Sequence, residues 1–323
     1  MVDVFQTLQH KLNDYYSLLD QLVLNGSLDR ENLIVFFDDS NLIEEIIKVS
    51  EKYGFSKKKR TCGNPAFIHI FRTLLWLKVL GADSRTMLLA LYHDLLEDFG
   101  SSVRKADIEF SEVPDSISDA SLVLTNRSSS MVKFLERSHN DLDMDLFSFD
   151  NSKVFSSVSS DFKSKLDSDS FDVIKKNSYV CYLDNLITYV VESGDESALF
   201  VKIADRIDNS LSDWPSKFNS IVKLYSKNEL VLKSFKDLVE SSSSPILKLL
   251  YALLIERSLD QLKFLIHNYG VLVEKRGPFY GSQYKVLLDR LVSEFVKLNE
   301  FEKIKNDLLS LDEVNNLFST FDK

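Results

Sequence analysis

The stretch LLALYHDLLEDFG, residues 88–100, decides how this chain is read. Leu88, Leu89, Leu91, Leu95 and Leu96 recur at close to helical spacing, which predicts an apolar helix running on to Gly100. Set into it are one imidazole, His93, and three carboxylates, Asp94, Glu97 and Asp98. Glu97 follows His93 by four residues and Asp98 follows Asp94 by four, so all of them crowd one side of the helix. Carboxylates at that spacing repel one another unless positive charge lies among them. A divalent metal removes the conflict, and imidazole with carboxylate suits zinc, manganese or iron.

One helix seldom completes a metal site, so further ligands are sought elsewhere. His69 lies upstream in GNPAFIHIFRTLLWL (63–77), on an otherwise apolar segment. Downstream, VKIADRIDNSL (201–211) carries Asp205 and Asn209 four apart on one helix face, with Val201, Ile203, Ala204, Ile207 and Leu211 left to pack. Singly, each piece has a plainer reading: a core histidine, an isolated His-Asp pair, a surface Asp205–Arg206 ion pair of little worth. Their joint occurrence, in this order, carries the metal reading.

The rest of the chain favours helices. Its 323 residues include only 9 Gly and 5 Pro, so few breakers interrupt the apolar periodicity. The spacing predicts helices over 4–24, 40–54, 66–80, 177–193 and 195–212, with a shorter one within 111–126. Asn41 is the expected cap of the second, with Glu44 completing a capping box. LIVFF (33–37) reads equally as strand, helix or buried loop. Segment 127–172, rich in Ser, Asp and Lys, reads as a long surface insertion. From 216 the helical signal is almost continuous, in pieces at 216–226, 229–241 and 245–269, then beyond a break at 269–283. The expected fold is all-α, with a domain over 1–215 and a C-terminal helical extension over 216–323 serving as scaffold, lid or oligomer contact.

Charge and composition exclude several roles. A net charge of −10 disfavours nucleic acid as a partner, because phosphate binding needs a basic face. A small phosphorylated substrate remains compatible where a metal and a local basic run, here KKKR (57–60), supply the positive charge. Cys62 and Cys181 form no disulfide framework, which suits a reducing compartment. MVDVFQTLQHKLNDYY (1–16) has neither a basic start nor a long apolar run, so the expected location is cytoplasmic. The most apolar window, 245–266, is broken by Lys248, Glu256, Arg257, Asp260 and Lys263, so no membrane span is expected.

His69, then HDxxED at 93–98, then KxADRxxN at 202–209 is a pattern that resembles the HD hydrolase superfamily. In particular it is similar to the hydrolase domain of RelA/SpoT homologues and the small alarmone hydrolases. Residues 60–100 resemble the family's RxxGxPxxxH and LHDxxED helices, LVLTN (122–126) its VxxLTK segment, and VKIADRIDN (201–209) its KLADRLHN. The resemblance implies an HD-type helical bundle holding one divalent ion, most often manganese, through His69, His93, Asp94 and Asp205. It implies Glu97 and Asp98 as the residues that orient or deprotonate the attacking water, Asn209 beside the nucleotide, and Arg60 near the base. Lys59 joins Arg60 as a candidate contact to the substrate.

The implied reaction is hydrolysis of the 3′-pyrophosphate of guanosine 3′,5′-bis(diphosphate) (ppGpp) or its triphosphate homologue. Other nucleotides (a deoxynucleotide, NADPH, a cyclic nucleotide) and a catalytically silent nucleotide-binding regulator are the alternatives. The helical signal over 216–323 carries no strand-rich synthetase signature, so hydrolase without synthetase is expected. The chain departs from the family in four places, around the substrate more than the metal. Asn126 stands where the middle motif has lysine, and the aromatic before the first histidine is displaced to Phe67. Asp208 stands where the motif has histidine, and Lys57, Lys58 and Lys59 replace an HxxQ segment.

Overall fold

The computed structural model describes residues 2–26, 28–53, 65–94, 113–124, 171–212 and 218–276. Among these the regular structure is helical: ten α-helices, one 3-10 turn and no strand. No helix among the described residues is long and apolar enough to cross a membrane.

By their contacts the residues form two compact units. The first joins Met1–Leu91 with Leu199–Lys323. It opens with α1 (Val2–Asn25), a short α2 (Arg30–Leu33) and α3 (Ser40–Tyr53). LIVFF is therefore the end of α2 and the turn after it, with Phe36 and Phe37 buried. The cap of α3 is Asp39 rather than Asn41: its Oδ1 accepts from the N–H groups of Asn41 (2.8 Å) and Leu42 (3.2 Å). Glu44 is turned away from any capping box and accepts from Arg30 Nη1 at 3.0 Å.

The centre of this unit is α4 (Ala66–Val79). Phe67, Ile70, Phe71, Leu74, Leu75, Trp76 and Leu77 are all buried, so this helix is apolar around most of its circumference. Each such side chain contributes roughly 1.5–3 kcal/mol on burial. α1 packs against it through the face carrying Leu12, Leu19 and Val23. Arg72 leaves α4 to pair with Asp20 of α1 at 2.6 Å, and its guanidinium lies over the Tyr16 ring. α4 stops at Gly81, whose φ of +77° an L side chain rarely adopts. α5 (Ser84–Tyr92) follows, capped by Asp83 through the Thr86 N–H at 2.7 Å. It ends earlier than its sequence suggests: His93 and Asp94 occupy the turn after Tyr92.

The second unit is Tyr92–Ala198. A 3-10 turn (Asp115–Ile117) leads into α6 (Ser118–Leu124), which packs on α7 (Phe171–Ser193). The Tyr182 hydroxyl donates to the Leu124 carbonyl at 3.1 Å and fixes that contact. Most of the 127–172 insertion lies outside the described residues.

α8 (Ser197–Ser212), α9 (Phe218–Ser241) and α10 (Pro245–Arg276) complete the regular structure. α9 runs unbroken through 226–229, where the sequence reads as two helices, and α10 passes Gly270 without a break. α9 and α10 pack along each other, with Ser244 capping α10 and Pro245 at its first position. A buried polar network ties both to α8. Arg206 Nε donates to Asn228 Oδ1 (2.9 Å), and Asn228 Nδ2 donates to Ser210 Oγ (2.8 Å) and Gln261 Oε1 (3.1 Å).

Candidate metal centre

Three stretches of chain supply the cluster. α4 carries His69 on its buried surface, between Ile68 and Ile70. The turn that closes α5 carries His93 and Asp94. α8 carries Asp205, set among Val201, Ile203, Ala204 and Ile207, all fully buried. His69, His93, Asp94 and Asp205 each offer one ligand atom, and those atoms lie within 4.8 Å of one another. His69, His93 and Asp205 are buried, and Asp94 is the partly exposed member.

The individual bonds are specific. Nε2 of His69 lies 3.0 Å from Asp205 Oδ1. Asn209 Nδ2 donates to that same oxygen, while Lys202 Nζ donates to Asp205 Oδ2 at 2.9 Å. On its other edge, Nδ1 of His69 lies 2.7 Å from Asp208 Oδ2. Nε2 of His93 is 3.5 Å from Asp94 Oδ2. Helical periodicity explains the α8 side of this arrangement. Lys202, Asp205, Asp208 and Asn209 are spaced at three and four residues and share one face.

Two imidazoles and two carboxylates, three of the four side chains buried, form a group that could hold a metal ion. Buried carboxylates are costly without positive charge beside them. Lys202 supplies part of that charge to Asp205, and a cation at the four clustered atoms would supply more. All four ligands expected from the sequence are therefore brought together.

Asn209 is buried against Asp205, so its amide helps to orient that carboxylate. Glu97, Asp98, Lys59 and Arg60 lie outside the described residues. Sequence reasoning missed Lys202 and Asp208 as partners of the cluster. Their spacing from Asp205 was the available signal.

Asp208 also acts on α1. Burial pushes the Tyr16 hydroxyl well above its ordinary pKa, and the nearby Asp208 charge adds to the effect. Burial likewise raises the Asp20 carboxyl, against the opposing pull of Arg72. α1 thus meets this region with neutral or paired groups. Comparison with protein-family models, curated proteins and solved structures finds no match for the chain.

Proposed function

We propose that this chain is a metal-dependent phosphohydrolase of the HD type, removing the 3′-pyrophosphate of ppGpp or its triphosphate homologue in the cytoplasm, without synthetase activity. The observation that carries the proposal is the convergence of His69, His93, Asp94 and Asp205 within 4.8 Å. Those four are the positions at which the sequence pattern has its ligands.

In this reading His69, His93, Asp94 and Asp205 hold one Mn2+, with Zn2+ or Fe2+ as chemically reasonable substitutes. A cation of this kind supplies positive charge to a phosphoryl oxygen and makes hydroxide accessible near neutral pH. The chain's own residues do the rest. Lys202 and Asn209 fix the Asp205 carboxylate. Glu97 and Asp98, three and four residues beyond Asp94, would orient or deprotonate the attacking water. Lys59 and Arg60 meet the polyanionic nucleotide, with Arg60 against the base and Asn209 close to the substrate.

The test is pyrophosphate release from ppGpp by the full chain with Mn2+, beside a panel of deoxynucleotides, NADPH and cyclic nucleotides. His93→Ala and Asp205→Ala should each reduce release to background. Wild-type rates in both variants would end the proposal. Release from another member of the panel alone would keep the hydrolase and replace its substrate. Tight nucleotide binding without any product would instead favour a regulatory protein.

A further inference from the structure

Asp208 is buried completely, yet it lies outside the set of metal ligands. Among the described residues its hydrogen bond is to His69 Nδ1, through Oδ2, and its Oδ1 has no hydrogen-bond partner. A carboxylate buried with so little compensation is costly, and such groups are retained where they perform a task. The task is legible in the geometry. Asp205 and Asp208 are three residues apart on α8 and take opposite edges of one imidazole. A neutral imidazole has one N–H and one lone pair. Both ring nitrogens lie within hydrogen-bond reach of a carboxylate oxygen, Nδ1 at 2.7 Å from Asp208 and Nε2 at 3.0 Å from Asp205. A cation at the ligand atoms would need the Nε2 lone pair, which leaves the hydrogen on Nδ1 facing Asp208. The lone pair then falls on Nε2, the nitrogen on the Asp205 side, where the other ligand atoms gather.

We propose that Asp208 is a positioning residue for the metal centre, holding His69 in the Nδ1–H tautomer and fixing the ring so that Nε2 faces the cation. This rests on the metal reading of the cluster. It concerns a position where the resembled motif has histidine, so the carboxylate is a feature of this chain. A carboxylate behind a metal-bound imidazole also raises the basicity of the ligating nitrogen.

The test needs no substrate. Calorimetric titration of chelator-stripped full chain with Mn2+ alone compares wild type, Asp208→Leu and Asp208→Asn. Asp208→Leu, which removes the acceptor and keeps the branching at Cγ, should weaken Mn2+ binding by about 10–100-fold. Asp208→Asn, which keeps an acceptor and loses the charge, should fall between. A second measurement stands even if the variants fold poorly. Long-range 1H–15N correlation on the wild-type chain loaded with Zn2+, with His69 assigned through His69→Gln, should show the hydrogen on Nδ1.

Wild-type Mn2+ affinity in Asp208→Leu, or a hydrogen on Nε2 of His69, overturns the positioning role alone. Failure of wild type to bind any Mn2+ overturns the metal reading, and this proposal with it.

Discussion

Replacing Asn228 by alanine should destabilise the chain by about 3–5 kcal/mol. The magnitude follows from three hydrogen bonds made by one buried side chain. Its oxygen accepts from Arg206 Nε at 2.9 Å, and its nitrogen donates to Ser210 at 2.8 Å and Gln261 at 3.1 Å. A hydrogen bond to a charged group contributes roughly 1.5–3 kcal/mol and a neutral one roughly 0.5–1.5 kcal/mol. Asn228→Ala loses all three and leaves the buried Arg206 guanidinium without its Nε acceptor. Urea unfolding followed by far-ultraviolet circular dichroism measures the change in midpoint at constant slope. The paired replacement Arg206→Met with Asn228→Leu should cost much less than the sum of the single changes, because removing both partners strands no charge. A loss below about 1 kcal/mol for Asn228→Ala would refute the claim that this network binds α8 to α9 and α10.

Three further outcomes follow from the fold. Gly81→Ala should cost about 1–2 kcal/mol in thermal or urea unfolding, since an alanine at φ +77° is strained in the left-handed region. Phe71→Ala, in the buried surface of α4, should cost about 3–5 kcal/mol through lost burial and a residual cavity. Asp39→Ala should cost about 1 kcal/mol at neutral pH as the α3 cap is lost. The Ser84 hydroxyl first, and then the N–H groups of Leu42 and Asn41, hold the Asp39 carboxyl below its usual range. A lowered folded pKa means that its contribution is present above the unfolded value and is lost as pH falls through the folded one. The gap between wild type and Asp39→Ala, measured by unfolding at a series of pH values, should therefore close on acidification and stay constant above pH of about 5.

The all-α class was legible because apolar residues recur at helical spacing and breakers are few. Boundaries were less legible where tertiary partners outbid local signals. The sequence reads as separate helical pieces over 216–226 and 229–241, yet α9 passes straight through the junction. The Asn228 amide is engaged with Arg206, Ser210 and Gln261, so it does not compete for its own backbone. At α3 the sequence points to Asn41, but Asp39 takes the cap. Arg30, fourteen residues before Glu44, draws that side chain out of the capping box. No local pattern encodes that contact.

The four clustered positions could be found because chemistry and order restrict them together, as His69, His93-Asp94 and Asp205. Asp208 was harder to place. On the sequence it stands out only as an acidic residue where the resembled motif has histidine, with nothing to say what it meets. Only the fold of α8 against α4 sets it at the second nitrogen of His69.

The central claim is that these side chains share one cation. Titrating chelator-stripped protein with Mn2+, with metal content confirmed by mass spectrometry, tests it most directly. The account predicts one ion per chain for wild type and none for Asp205→Ala or His93→Ala. Equal binding by all three proteins, or none by wild type, would contradict it.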